Sequence, residues 1–395
     1  MPVQVRLRVK KMKNNINGIL IIIGSSIGAG VLGMPITCSL VGLIPSVILM
    51  LIIALYMSET AKIITRLLIK TQSEDLSVAF KKNLSTSNYT ISLITYGFLF
   101  ITIIAAYISK SSTLLKTIID TTAYTNININ ICYIIIISTM ILILNSKNTQ
   151  FKYANNILTI ALISVFLIII LQNSKSEINI TNIEKININN IKYVYPILIT
   201  SFGFHNILPY LKNEFKNNEK KLNKSINIGI IITLLIYIIW ISFIIIFKNN
   251  YYKLDDIENY NSDKIITELL IIKKNNNLTI TIVNTFSFLA IITTIFGITI
   301  SMNFFFKKIF TEIPEKIIKI LIIIPPIILM KLNTNIFFTA LEISGGILTL
   351  TIFGLMPIIA IKKQKNENLF KLNFLYIITV IIILISLTLQ IKKII

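Results

Sequence analysis

Ionisable and sulfur-bearing side chains are scarce in this chain of 395 residues. It has one histidine, two cysteines and 17 acidic residues, and only 14% of its residues are charged. Cys38 and Cys132 lie far apart, within or beside apolar segments, so neither a disulfide framework nor a metal site follows from them. A single histidine without a cysteine partner, and no paired carboxylates, leave little material for acid–base or metal-dependent catalysis. We expect neither an enzyme nor a bound metal or cofactor.

Apolar residues dominate instead. They make up 54% of the chain, and the mean hydropathy of +0.78 excludes an ordinary soluble domain. Apolar stretches long enough to cross a bilayer, about 17–25 residues, recur along the whole length. No small-residue cleavage site follows the first stretch, which indicates a retained span and not a signal peptide. The predicted spans are 16–37, 42–69, 91–115, 131–145, 156–172, 194–211, 225–247, 279–305, 317–331, 336–361 and 371–391.

The lysines and arginines predict the orientation of these eleven spans. A basic segment, 1–15, precedes the first span, and the positive-inside rule places it in the cytoplasm. The net charge of +21 is also compatible with nucleic-acid binding, but the lysines flank spans on alternate sides, where they meet anionic lipid headgroups. We therefore expect a multi-pass protein of the bacterial cytoplasmic (inner) membrane with no nucleic-acid partner. The predicted cytoplasmic loops are 70–90, 146–155, 212–224, 306–316 and 362–371.

Residues 24–30 interrupt the first span. Three glycines and two serines occur in these seven residues, and each glycine inside a helix costs about 0.5–1 kcal/mol relative to alanine. Backbone that leaves the helix at membrane depth must be buried in protein or line a water-filled cavity. The segment therefore predicts a broken helix with a binding site near the bilayer midplane.

A second interruption falls in the sixth span. Residues 195–209 hold two prolines, a glycine and the only histidine of the chain. Breaks in spans one and six are typical of two inverted repeats of five spans, here 16–172 and 194–361, with 371–391 as an additional helix. The alternative, packing glycines with a proline kink, stays open at this point.

Several motifs resemble those of the hydroxy and aromatic amino acid permease family, and of its tyrosine- and tryptophan-specific members above all, within the amino acid-polyamine-organocation superfamily. Residues 24–35, Gly-Ser-Ser-Ile-Gly-Ala-Gly-Val-Leu-Gly-Met-Pro, resemble the first-span signature, and 200–209 are similar to the sixth-span motif, including its histidine and final proline. Supporting matches are Ala106-Tyr107-Ile108-Ser109, Leu55 to Glu59, Gly345-Gly346 and Gly354 to Pro357. The resemblance implies an all-helical, leucine-transporter-like fold with eleven transmembrane helices.

The resemblance also implies a function, the import of tyrosine or tryptophan by proton symport with alternating access. When the family motifs are transferred to this sequence, the substrate site lies at the two broken segments and part of the third span. Phe202 and Phe204 would then line the pocket for the aromatic side chain, although contact with lipid or packing in the core is the alternative for both. The implied substrate-binding residues are Gly24, Ser25, Ser26, Gly28, Ala29, Gly30, Tyr107, Ser201, Phe202, Gly203, Phe204 and His205.

Four residues are candidates for ion coupling or gating. His205 either carries the coupled proton or, as a neutral imidazole, binds carbonyls that the break leaves free. Glu59 matches the family motif but is also placed to pair with Lys62. Thr293 and Thr294 would suit a cation site, so sodium remains an alternative to the proton. The fifth span lacks the basic residue expected in proton-coupled relatives, which weakens the proton assignment.

Other interpretations remain. Lys110 stands where the family tends to have glycine, and it either snorkels to the outer interface, which we favour, or alters the pocket. The substrate could be serine, threonine or another neutral amino acid. A polytopic membrane enzyme or assembly factor is the alternative of a different class, and a catalytic cluster for it would have to lie in the loops 173–192 or 248–277.

Overall fold

A computed structural model describes residues 3–28, 30–123, 125–146, 148–173, 186–246, 277–332, 336–364 and 367–394. All regular elements within these ranges are helical. The α-helices are α1 (Val3–Ser26), α2 (Gly30–Val41), α3 (Leu43–Lys70), α4 (Leu76–Asn83), α5 (Thr86–Ala123), α6 (Ile129–Leu144), α7 (Asn148–Asn173), α8 (Ile191–Ser201), α9 (Leu208–Glu214), α10 (Glu219–Ile246), α11 (Asn277–Ile309), α12 (Glu315–Leu332), α13 (Ile336–Ile343), α14 (Met356–Lys362) and α15 (Leu369–Ile394). A π-helical segment, Ser344–Leu355, joins α13 to α14, and 3₁₀ turns occupy Ile188–Asn190 and His205–Ile207.

Seven helices of the described chain are long and apolar enough to cross a membrane, and the bent pair α1 and α2 makes an eighth. The prediction of a many-spanning helical protein is therefore confirmed. The helices at three other predicted spans are too short or too charged to meet the same length and hydropathy criteria. These are α6 at span four, the pair α8 and α9 at span six, and α12 at span nine. The count of eleven stays a prediction.

Two long helices, α5 and α11, run antiparallel through the interior. The rings of Tyr96 and Phe305 lie 4.7 Å apart at one end, and the hydroxyl oxygens of Thr121 and Thr281 lie 3.1 Å apart at the other. Both helices rise about 1.5 Å per residue. Moving one residue forward along α5 therefore reaches the same height as moving one residue backward along α11. This register places three pairs at successive heights, namely Tyr107 with Thr294, Ile103 with Ile298, and Phe100 with Ser301.

The π-helical segment packs closely against α8. A Cβ added to Gly345 would overlap the carbonyl oxygen of Pro196, so only glycine permits this approach. The Thr200 hydroxyl fastens the contact, since its oxygen lies 3.0 Å from the Pro196 carbonyl and 2.9 Å from the Leu341 carbonyl. Runs of π-helix are rare and occur frequently at functional sites. This one faces the centre of the bundle.

The end of the bundle that carries loops 70–90, 212–224 and 306–316, here called the basic end, is tied together by charged side chains. Lys212 donates to the Ser73 carbonyl at 2.6 Å, and Lys308 pairs with Glu74, which lowers the pKa of that carboxyl. Next to it, burial raises the pKa of Asp75, the N-cap of α4, although Ser77 donates hydrogen bonds to its carboxylate. The loop between α3 and α4 thus connects the ends of α9 and α11.

Candidate functional site

The first helix break lies at residues 27–29. Helix α1 ends at Ser26, α2 begins at Gly30, and the two axes differ by 57°. Turn-like bonds replace the helical ladder, from the Gly28 N–H to the Ser26 carbonyl at 2.8 Å and from the Val31 N–H to the Gly28 carbonyl at 3.0 Å. The interruption is shorter than predicted because residues 24–26 form the last turn of α1. Ala29 lies outside the described residues.

The second break lies at residues 202–204. Helix α8 ends at Ser201, and the chain then leaves the helix before the 3₁₀ turn His205–Ile207. The Gly203 N–H bonds to the Thr200 carbonyl at 3.0 Å, a tighter turn than the α-helical one. Helix α9 starts at Leu208 with Pro209 in its first turn, where proline costs no hydrogen bond. This break lies within the sequence-predicted interruption.

Helix α10 joins the two breaks. The Tyr237 hydroxyl oxygen lies 2.6 Å from the carbonyl oxygen of Ser26 and 2.9 Å from that of Ser201, the residues that end α1 and α8. One turn later, Trp240 donates its indole N–H to the Val31 carbonyl at 2.8 Å. Both side chains are fully buried. The sequence analysis missed them, and the one available signal was the only tryptophan of the chain within an apolar span.

A small cavity of about 20 Å³ lies between the breaks, α5, α11 and the π-helical segment. Four predicted site residues line it: Ser25, Tyr107, Gly203 and Thr294. The sequence analysis missed the remaining lining residues. The polar ones are Thr200, Asn206 and Thr349, and the apolar ones are Leu99, Phe100, Ile103, Ile298 and Phe353.

The register of α5 and α11 gives the heights of the residues that line this cavity from those two helices. Tyr107 and Thr294 form the upper layer. The Ser25 hydroxyl lies 3.3 Å from where a Cβ on Gly297 would stand, and Gly297 falls between Thr294 and Ile298 along α11. Ile103 and Ile298 form the apolar middle layer. Among the described residues, the buried Ser25 hydroxyl has no hydrogen-bond partner. The upper layer therefore offers polar groups to a ligand, and the layer below offers an apolar wall.

Aromatic rings close the cavity on the side of the basic end. Tyr96 lies 4.4 Å from Phe100, 4.7 Å from Phe305 and 5.6 Å from Phe353 between ring centres. Tyr96 and Phe100 are at most 2% exposed. The enclosed volume suffices for about one water molecule, so an amino acid enters only when lining side chains move apart.

The predicted glycines of the first break face neighbouring helices instead of the cavity. A Cβ on Gly24 would overlap Thr159 of α7, and one on Gly28 would overlap Thr294 of α11. A Cβ on Gly30 would overlap Ser201, so the two breaks touch there. The Ser26 hydroxyl is buried, outside the cavity lining, and has no hydrogen-bond partner among the described residues.

Three ring-bearing residues of the second break that were predicted to bind substrate lie behind the cavity wall. Phe202 packs against Tyr237 with ring centres 5.2 Å apart, and Phe204 lies 4.9 Å from His205. The His205 imidazole stacks on Phe353 at 5.1 Å, and its Nε2 lies 2.9 Å from the Thr60 hydroxyl oxygen. His205 is fully buried, and its ring meets the cavity lining at Phe353.

The remaining coupling candidates lie in two places. Glu59 pairs with Lys62 at 3.0 Å and with Lys371 at 2.5 Å, which links α3 to α15 near the basic end. Thr294 lines the cavity, and its hydroxyl donates to the Ala290 carbonyl at 3.0 Å. Thr293, outside the lining, has its hydroxyl oxygen 2.9 Å from that same carbonyl.

Lys110 lies deeper than we expected. Its side chain is 3% exposed, and the ammonium nitrogen stands 5.5 Å above the Phe337 ring. The snorkelling interpretation is therefore wrong. The reason is that α5 continues to Ala123, well past the predicted end of the third span at 115, so Lys110 is far from the helix end.

Two further predictions concern catalytic or metal chemistry. Within the described residues, no three histidine, cysteine, aspartate or glutamate side chains are grouped so as to hold a metal ion. Residues 174–185 and 247–276, which include most of the loops named for a catalytic cluster, lie outside the described residues.

Membrane-length helices around a cavity at two helix breaks are the architecture of a secondary transporter. Residues 11–393 match the model of the tryptophan/tyrosine permease family. The chain belongs to that family and is a multi-pass membrane protein.

A curated relative supports this assignment, and a solved structure shows the fold. The chain is 25% identical over 232 residues to the tyrosine-specific transport system 1 of Haemophilus influenzae. That alignment covers 58% of this chain and 57% of the relative, so the chain spans little more than half of the relative's length. The structure of Mhp1, a nucleobase-cation-symport-1 family transporter in a closed conformation with bromovinylhydantoin bound, matches with a TM-score of 0.65 at 12% identity, over 91% of this chain and 80% of that one. This likeness shows a leucine-transporter-like fold.

Proposed function

We propose that this protein imports an aromatic amino acid, tyrosine or tryptophan, across the bacterial cytoplasmic (inner) membrane by proton symport with alternating access. The observation that carries the proposal is the cavity at the two breaks, which is lined both by polar groups and by aliphatic and aromatic side chains. A zwitterion needs the first and an aromatic ring needs the second. Membership of the tryptophan/tyrosine permease family supports the same substrate class.

The substrate backbone binds at the upper layer in this proposal. The partially negative carbonyl end of α1, which reaches the cavity at Ser25, favours the ammonium group of the substrate, and the partially positive N–H end of α2 beyond the break favours its carboxylate. Ser25 and Gly203 line this part of the cavity, and the unpaired Ser25 hydroxyl supplies a further hydrogen bond. The other predicted residues of the breaks shape the site by packing, from Gly24, Gly28 and Gly30 to Phe202.

The membrane topology is part of the proposal. Eleven spans place the basic segment 1–15 and the basic end in the cytoplasm. Residues 16–172 and 194–361 form the two inverted repeats, with one break each, and 371–391 form a helix outside them. The contact of Gly30 with Ser201 supports this arrangement, since it pairs the breaks of the two repeats at one depth.

For coupling, we assign the proton to His205. It is the only histidine of the chain, and it touches both the cavity wall through Phe353 and helix α3 through Thr60. A proton there would change the contacts of α3 and the second break together. Glu59 acts as a gate through its pairs with Lys62 and Lys371. Thr293 and Thr294 are the residues that a sodium-coupled alternative would use.

Uptake by the purified protein in proteoliposomes tests the proposal. Labelled tyrosine, tryptophan, phenylalanine and serine are each supplied with a proton gradient, with a sodium gradient and with neither, and protein-free liposomes are the control. We expect saturable uptake of tyrosine or tryptophan that depends on the proton gradient. Uptake of serine alone would overturn the substrate class, dependence on sodium would overturn the coupling ion, and no uptake of any amino acid would favour an enzyme or assembly factor.

A further inference from the structure

At the level of Phe100 and Ser301, here called the lower layer, the polar side chain of Asn206 lies beside the aromatic rings that close the cavity. Asn206, 8% exposed, lines the cavity and donates from Nδ2 to the Ser301 hydroxyl oxygen at 3.4 Å. The Ser301 hydroxyl lies in turn 2.9 Å from the Asn206 carbonyl oxygen and 2.8 Å from that of Gly297. Ser301 therefore holds both the backbone and the amide of Asn206 against α11.

The register of α5 and α11 gives the height of Asn206. Its partner Ser301 is level with Phe100, below the Ile103 and Ile298 layer, and seven residues after Thr294 along α11. Seven residues of helix rise about 10 Å. An aromatic amino acid that is held by its backbone at the upper layer spans such a height, so the far end of its ring comes to Asn206.

Resting on the proposed function, we propose that Asn206 is a specificity-determining residue that binds the polar end of the substrate ring, so that the site prefers tyrosine to phenylalanine. An asparagine side chain has two N–H donors and a carbonyl acceptor. No described residue donates to its Oδ1, which accepts the phenol hydroxyl. Phenylalanine has no donor at the end of its ring. Its binding would bury that oxygen without a hydrogen bond, and an unpaired buried polar group lowers the affinity.

The other polar groups of the cavity are less suited to this role. The Thr200 hydroxyl bonds to the Pro196 and Leu341 carbonyls, and the Thr294 hydroxyl bonds to the Ala290 carbonyl. Thr349 is the competitor, because its hydroxyl has no such bond among the described contacts. It lies one helical turn before Phe353, on the segment opposite α11.

The test measures competition for tyrosine binding and uptake with the full-length protein. In the unmodified protein, 4-aminophenylalanine, which keeps a donor at the ring end, should compete as well as tyrosine. Phenylalanine and 4-fluorophenylalanine, which have none, should compete at least about tenfold more weakly. This ligand series needs no mutant, so it remains decisive if a variant fails to fold.

Variants then locate the discriminating group. Asn206→Leu should lower the tyrosine-to-phenylalanine ratio of kcat/KM at least about tenfold, and Ser301→Ala should lower it less. Asn284→Leu is the matched control, because Asn284 is buried on α11 ten residues before Thr294 and outside the cavity lining, and the ratio should not change.

Each outcome decides between the two proposals. Equal competition by all four ligands, an unchanged ratio in Asn206→Leu, or a ratio that responds to Thr349→Val instead would overturn the role of Asn206 while leaving aromatic transport standing. If the unmodified protein takes up no aromatic amino acid, the proposed function fails and this inference fails with it.

Discussion

The two helix breaks fall in corresponding predicted spans but make different contacts. In the first, Gly24, Gly28 and Gly30 each lie where a Cβ would overlap a side chain of another helix. In the second, Gly203 and Asn206 line the cavity. A glycine at a helix break can therefore serve to bring helices together as well as to open a site, and the presence of glycine alone does not separate these two roles.

The breaks are nevertheless coupled through one side chain. Tyr237 lies within hydrogen-bond distance of the carbonyls that end α1 and α8, and Phe202 packs on its ring. A movement of either break therefore changes the environment of the other. Variants that act on one break, or on the link between them, test this comparison.

The largest effect is expected at Gly30. In Gly30→Leu the new Cβ would stand 2.9 Å from the backbone Cα of Ser201 and overlap its side chain, so the breaks must separate. We expect no monodisperse folded protein in detergent gel filtration and no uptake. Gly97→Leu is the matched control, because no atom lies within 4 Å of a Cβ there. A well-folded Gly30→Leu protein would show that the first break is not a packing site.

Gly203→Leu should abolish uptake while the protein still inserts into the membrane. The new Cβ would stand 2.8 Å from the Thr200 carbonyl oxygen, and the rest of the side chain would fill the cavity. Insertion depends on the apolar spans, so membrane fractionation should recover the variant at the level of the unmodified protein. Retained uptake would contradict the placement of the substrate at the second break.

The location of both breaks was predictable from the sequence, but the composition of the site was only partly so. Glycine and proline act locally on the helix, so residues 24–30 and 195–209 reveal the interruptions without knowledge of the neighbours. Ser25 and Gly203 were found in this way, and the family resemblance added Tyr107. The same reasoning could not tell that Gly30 meets Ser201, since that contact depends on tertiary packing.

Most of the missed residues are apolar or aromatic side chains within predicted spans, where the sequence does not separate a cavity-lining residue from a packing residue. Phe100, Ile103 and Ile298 line the cavity only because α5 and α11 cross in one particular register. Tyr237 and Trp240 resemble ordinary packing residues until the carbonyls that they bind are placed. Asn206 was part of the quoted sixth-span motif, yet its orientation toward the cavity follows from the 3₁₀ turn after the break.

Tyr237→Phe should weaken the link between the breaks without removing the ring. The substitution removes the hydroxyl from both carbonyls. The Ser26 carbonyl keeps its bond from the Gly28 N–H, but the Ser201 carbonyl loses its hydroxyl partner, and an unpaired buried polar group costs about 1–3 kcal/mol. We expect a lower thermal unfolding temperature and slower uptake. Tyr56→Phe, which loses a hydroxyl contact of 2.7 Å with Thr379 away from the breaks, is the control for stability alone. If both variants slow uptake equally at equal stability, Tyr237 has no special role between the breaks.

The smallest expected effect is a difference in the KM for uptake between variants of the two serines that end α1. Ser25 lines the cavity and Ser26 does not, although both hydroxyls are buried and have no hydrogen-bond partner among the described residues. Ser25→Ala removes a hydrogen bond that the bound substrate would make, worth about 0.5–1.5 kcal/mol, or roughly a 2- to 10-fold rise in apparent KM for uptake. Ser26→Ala should raise the KM less, because its hydroxyl contacts no ligand. An equal rise in both variants would mean that the whole last turn of α1 faces the substrate, and the contrast between a packed first break and an open second one would then disappear.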